Sequence, residues 1–91
     1  MGRVARQILV SGRVQGVWFR AWTQQQARAL DLAGWVRNCD DGSVEAHIEG
    51  DHAAVDQLID RIRRGPSGAR VDALECDDAD AEGLTGFEVR H

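Results

Sequence analysis

Gly34-Trp35-Val36-Arg37-Asn38-Cys39-Asp40-Asp41-Gly42-Ser43-Val44-Glu45-Ala46-His47-Ile48-Glu49 reads as two strands and the turn between them. Asp40-Asp41-Gly42 carries the turn chemistry: Asp hydrogen-bonds its own backbone, and Gly accepts a positive φ. The predicted strands cover residues 34–39 and 43–49. In the second, Val44, Ala46 and Ile48 alternate with Glu45, His47 and Glu49, the pattern of a sheet with one buried and one wet face. This hairpin sits mid-chain, so the other elements must be arranged around it.

Directly after it, Asp51 is a good helix N-cap, and Val55, Leu58, Ile59 and Ile62 recur at helical spacing up to Arg64. Gly65-Pro66 ends that helix. Before the hairpin, residues 6–11 form a short β-prone run. A second helix is expected over residues 20–30, with Phe19, Thr23, Ala27 and Leu30 on one face and Gln24, Gln25 and Arg28 turned outward. Residues 69–76 and 87–90 supply two more strands. The order β-α-β-β-α-β plus a short last strand is the split βαβ plan of an α+β domain, with an antiparallel sheet and both helices on one face.

Composition narrows the function. The chain has 91 residues, which suits one domain spanning 1–91. Its apolar runs are a few residues long, as in Ile8-Leu9-Val10, too short for a membrane span or a signal segment. Met1-Gly2 resembles a myristoylation start, but Arg6 stands where that motif needs Ser or Thr. The expected location is the cytoplasm, with no membrane partner. A formal charge of −4 argues against a general nucleic-acid binder, and any anionic substrate must be captured by a local site. All 11 basic residues are Arg, which removes P-loop, Schiff-base and lysine-base chemistry. Cys39 and Cys76 have no CxxC spacing and read as reduced thiols. The acidic stretch from Asp77 to Gly83 imitates a calcium loop. However, Val89 falls where the bidentate acid belongs, so a solvated loop is the expectation.

Two segments carry more than a scaffold needs. Gly12-Arg13-Val14-Gln15-Gly16-Val17-Trp18-Phe19-Arg20 leaves a strand, passes two glycines and enters a helix. Such a loop can turn successive N–H groups into a concavity for an anion, with the free donors of the helix end added. Arg20 lies near the first helical turn, where the dipole disfavours a cation unless an anion shares the site. Its planar fork suits two phosphate oxygens. A surface Arg beside a connecting loop is the competing reading, and the segment's physics does not separate the two. In the hairpin, Asn38 lies at a strand end, where Asn is uncommon. Its amide either holds a water or caps the turn, and physics by itself leans to the cap.

These segments, with Asp41-Gly42-Ser43-Val44-Glu45, Gly65-Pro66-x-x-Ala69-x-Val71 and the terminal Phe87-Glu88-Val89-Arg90, resemble the acylphosphatase family over essentially the whole chain. The resemblance implies a ferredoxin-like α/β sandwich that hydrolyses the carboxyl–phosphate bond of small acyl phosphates. It implies a phosphate held by Arg20 and the backbone amides of Gln15, Gly16, Val17, Trp18, Phe19 and Arg20, and a water positioned by Asn38. Inorganic phosphate would be product and competitive ligand. No metal and no organic cofactor are implied. The physical logic is coherent, since a carboxylate is already a good leaving group and positioning with charge stabilisation is what remains.

The sequence departs from the family at Asp31, where Gly is common, at Cys39, where Thr is common, and at His91, where Tyr is common. None of these falls on Arg20 or Asn38. In the family's strand order, Cys39 and Cys76 lie on non-neighbouring strands, too far apart for a disulfide. Trp18, Trp22 and Trp35 read as partly buried packing rather than an aromatic platform. His47, His52 and His91 fit no metal spacing. An RNA-recognition module shares this strand order, but Glu45, His47 and Glu49 on the exposed face would repel RNA. The other alternative is a non-catalytic, anion-sensing domain like the front end of a hydrogenase-maturation protein. A cysteine-rich zinc region follows the domain there, and the length of this chain favours the enzyme. A monomer is the simplest state for so small a domain.

Overall fold

The protein is described by a computed structural model covering residues 2–91, so Met1 of the start motif lies outside the described residues. Its elements are β1 (Arg3–Arg13), α1 (Phe19–Ala29), β2 (Ala33–Asn38), β3 (Val44–Asp51), α2 (His52–Arg64), β4 (Arg70–Asp78) and β5 (Phe87–Arg90). The five strands form one sheet in the order β4-β1-β3-β2-β5. The β2–β3 hairpin pairs from Ala33↔Glu49 to Asn38↔Val44. β1 is an interior strand and pairs with β3 and β4, both antiparallel. β5 runs parallel to β2, so the sheet is mixed rather than wholly antiparallel. The cause is connectivity: the segment after β4 crosses the sheet before β5 begins. β1 is longer than the expected 6–11 because ladders on both sides hold its ends, which its side-chain pattern does not reveal.

One face of the sheet carries both helices. Val44, Ala46 and Ile48 pack with Ile8, Val10 and Val36 against Val55, Leu58, Ile59 and Ile62 of α2 and Phe19 and Ala27 of α1. Full burial of each large aliphatic side chain contributes about 1.5–3 kcal/mol. Asp51 caps α2 as expected, its carboxylate accepting from Ala53 N at 3.2 Å. Gly65, at φ 72°, closes the other end through Arg61 O. On α1, Gln24 does not turn outward: its Nε2 donates to Phe87 O at 3.0 Å, and Arg28, though exposed as expected, reaches the same carbonyl with its guanidinium. They hold β5 against the helix. Asp31 takes φ 60°, a left-handed position that explains why Gly suits that site.

The opposite face is not the wet surface expected from the alternation. His47 and Glu49 are 1% and 2% exposed, and Trp35 is 8% exposed. Residues 79–86 cross from the β4 edge to the β5 edge as a strap. Ala79 N donates to Ala5 O, and Gly34 N donates to Gly86 O. In between, the Glu49 carboxylate accepts from the backbone N–H groups of Glu82, Gly83 and Leu84 and from His47 Nε2. The predicted solvated loop is thus a tethered one, and its first residues, Asp77 and Asp78, belong to β4. This also changes the case against RNA: the face is occupied by chain, not simply repulsive.

Burial alone would push the Glu49 carboxyl up. The bonds from Glu82 N–H, His47 and Leu84 N–H outweigh it and hold the pKa below the ordinary glutamate value. A carboxyl depressed on folding contributes stability that is full above the unfolded value of about 4.3 and fades as pH falls through the folded value. Glu49→Gln is therefore expected to cost about 3 kcal/mol at pH 7, since it breaks a buried pair. The difference from wild type should shrink in urea titrations carried down to pH 3. A constant difference at every pH would separate Glu49 from the acid response.

At Ser11/Gly12 the β1–β4 register shifts, turning the chain out of the sheet toward α1. Gly12 has φ 126°, and a Cβ there would sit 2.2 Å from Arg70 O and 2.7 Å from Asp72 N. Gly12→Ala should lower stability by more than about 1 kcal/mol, visible as a fall in melting temperature. An unchanged melting temperature would mean that the β4 backbone yields freely.

Candidate active site

Residues 14–18 make no regular structure between β1 and α1. Gly16, at φ 73°, and Trp18, at φ 65° and ψ 22°, take left-handed backbone on either side of Val17. Alternation of this kind turns consecutive N–H groups to one side, forming an anion-binding concavity. Among the described residues, no N–H from Gln15 to Arg20 donates to a protein acceptor. α1 also lacks an N-terminal side-chain cap and an acidic residue in its first turn. A helix end normally has such partners. Here its donors stay free and add to the loop.

Gln15, Gly16, Trp18, Phe19, Arg20 and Asn38 line one cleft of about 270 Å³. Arg20 projects from α1 and its Nη1 donates to Arg90 O at 3.0 Å, with His91 Nδ1 3.2 Å away. No carboxylate among the described residues pairs with it. Its charge is oriented but not neutralised, which is what an incoming anion needs. Val17 does not line the cleft; its side chain packs on the core, leaving only its N–H in the loop.

Asn38 enters from the last pair of the β2–β3 ladder. It does not cap the turn. Asp41 does so, its Oδ1 accepting from Ser43 N at 2.9 Å and from Ser43 Oγ, while Cys39 N donates to Ser43 O. The Ser43 hydroxyl also holds the Asp41 carboxyl below its ordinary pKa. Asn38 Oδ1 is buried with no hydrogen-bond partner among the described residues. A buried amide oxygen without a donor is costly, of order 1–3 kcal/mol, unless something else in the cleft satisfies it.

Two features escaped the sequence. Trp18 is 61% exposed at the cleft mouth, not packed, whereas Trp22 tilts against Phe19 and Trp35 lies beneath the Arg90 guanidinium. His91 touches Arg20, because the parallel pair Arg37↔Arg90 brings the end of β5 beside the end of β2. The signal for that was the unread partner of the last strand. His47 and His52 lie away from the cleft. Cys39 and Cys76 are both free, the first beside the turn and the second on β4, with β1 and β3 between their strands.

A family model described as acylphosphatase matches residues 6–89. The chain belongs to the acylphosphatase family. The acylphosphatase of Rhizorhabdus wittichii is 52% identical over 85 residues, covering 93% of this chain and 86% of its own. The crystal structure of acylphosphatase from Bacillus subtilis superposes with a TM-score of 0.94 at 35% identity, covering 97% of this chain and 99% of that one. Full-length HypF in its phosphate- and nucleotide-bound form is also similar, at 25% identity and a TM-score of 0.89. There the match spans 99% of this chain but 12% of the other. The stronger identity lies with the acylphosphatases, so the non-catalytic reading is not favoured. As a family member the chain is an enzyme that hydrolyses acyl phosphates, on the ferredoxin-like sandwich described above.

Proposed function

We propose that the loop of residues 15–20 binds the phosphoryl group of a small acyl phosphate, that Arg20 clamps two of its oxygens, and that Asn38 orients the attacking water. The observation supporting this is convergence: an uninterrupted run of free N–H donors, an unneutralised Arg20 and an unpartnered Asn38 oxygen share one cleft. The water O–H donates to Asn38 Oδ1, leaving an oxygen lone pair aimed at phosphorus. The new bond joins water oxygen to phosphorus, and the phosphorus–oxygen bond to the acyl group breaks. Its electron pair leaves as the carboxylate. One water proton passes to a phosphoryl oxygen, so a dianionic acyl phosphate and water give carboxylate and dihydrogen phosphate.

Charge on the phosphoryl oxygens is met by Arg20 and the amides, which stand ready before the substrate arrives. This reaction as proposed uses no metal and no organic cofactor. Inorganic phosphate fits the same cradle and competes with substrate. Residues 1–91 act as one unit, and a cytoplasmic monomer belongs to the same proposal, resting on composition and size. No helix among the described residues is long and apolar enough to cross a membrane.

The test is ultraviolet-monitored hydrolysis of benzoyl phosphate with and without a chelator. Equal, saturable turnover in both, inhibited competitively by phosphate, is expected. Phosphate binding without turnover would leave a sensor instead, and loss of turnover on chelation would overturn the metal-free reading.

A further inference from the structure

The phosphate cradle and the Asn38 hairpin come from separate parts of the chain, and one side chain joins them. Gln15 Nε2 donates to Cys39 O at 2.9 Å and to Ser43 O at 2.8 Å. Both partners are acceptors, so only the NH₂ end of the amide can face them, and both of its hydrogens are committed. The same two carbonyls close the turn: Ser43 O accepts from Cys39 N at 2.8 Å and Cys39 O accepts from Gly42 N at 3.2 Å. Each carbonyl therefore takes two donors, and the turn is clamped to the loop as a unit. Gln15 is half-buried and Ser43 is 5% exposed, which shields the clamp from competing water.

We infer that the Gln15 side chain is a positioning residue that fixes Asn38 against the phosphate cradle, an inference that rests on the role proposed for Asn38. Asn38 directly precedes Cys39, so a turn free to drift carries the water-orienting amide with it. A misplacement of about 1 Å can cost about 100-fold in rate. Gln15 thus serves the reaction twice, with its backbone N–H in the cradle and its side chain turned away from phosphate toward the hairpin.

Gln15→Met keeps the length of the side chain and removes both donors. It is expected to lower kcat on benzoyl phosphate by about 10- to 100-fold while the Kd for inorganic phosphate, read by calorimetry, stays within about threefold. Placed in an Asn38→Ala background, it should lower the residual kcat by less than about twofold, the non-additivity expected when one residue acts through the other. The ¹⁵N side-chain amide signal of Asn38 should broaden or split in Gln15→Met.

A wild-type kcat, a phosphate affinity that weakens in parallel with kcat, or the same loss in both backgrounds would overturn the inference. If Gln15→Met does not fold, Gln15→Asn, a methylene too short for both carbonyls, carries the same comparison. Wild-type protein without turnover would sink the hydrolase roles instead. The Asn38 amide signal would still decide whether Gln15 fixes it.

Discussion

Arg20→Ala lowers kcat/KM on benzoyl phosphate by about 10³-fold or more and removes competitive inhibition by phosphate at millimolar concentration; this is the largest effect expected of any side-chain truncation here. The loop amides remain after the substitution, but they are neutral dipoles. The chain's net charge of −4 then opposes capture of a dianion with no local cation to offset it. The guanidinium is already aligned, since Arg90 O holds one of its nitrogens, so little ordering remains to be done on binding. Arg20→Lys should recover part of the binding and little of the rate, because a point charge cannot bridge two oxygens. Stability should change by no more than about 1 kcal/mol, as Arg20 pairs with no carboxylate among the described residues and gives up one hydrogen bond to Arg90 O. Steady-state kinetics with a urea titration of the same samples checks both statements. Retained phosphate inhibition would move the anion site away from Arg20.

Asn38→Ala separates binding from chemistry. Turnover should fall by about 100- to 1,000-fold, the scale for losing one preorganised polar group at the reacting centre. Phosphate affinity should stay within about threefold, because the cradle lies on the other segment. The variant should also be no less stable than wild type, and even slightly more so, since it removes a buried oxygen that no protein group satisfies. A turn-capping role predicts the reverse, a stability loss with near-normal kcat. Calorimetric phosphate binding, kinetics and thermal unfolding of one preparation decide between them.

The fold was legible where periodicity and turn chemistry agree. Asp51, the four apolar residues of α2 and the Asp40–Gly42 turn specify their elements locally. Periodicity could not show that the wet face would be roofed, because the side chain that holds the middle of the strap is a single carboxylate. Glu49 alternates like any solvent-facing residue, and only the arrival of the Glu82–Leu84 backbone buries it. The same limit hid His91, whose approach to Arg20 follows from a parallel strand pair formed at the very end of the chain. At the site, the glycines and Arg20 marked the loop whose N–H groups are free of protein acceptors among the described residues. The duty of the Gln15 side chain was invisible, since nothing in the spacing says which way an amide points.

The strand order β4-β1-β3-β2-β5 leaves the sheet with two open borders, and both are guarded against other chains. Unpaired strand borders template aggregation unless they are short or charged. β5 is only 4 residues long. β4 presents Arg70, Asp72, Glu75, Asp77 and Asp78 to solvent, so a second molecule adding there must bury acid against acid. The acidic side chains of β4 thus place a charge barrier along that border of the sheet.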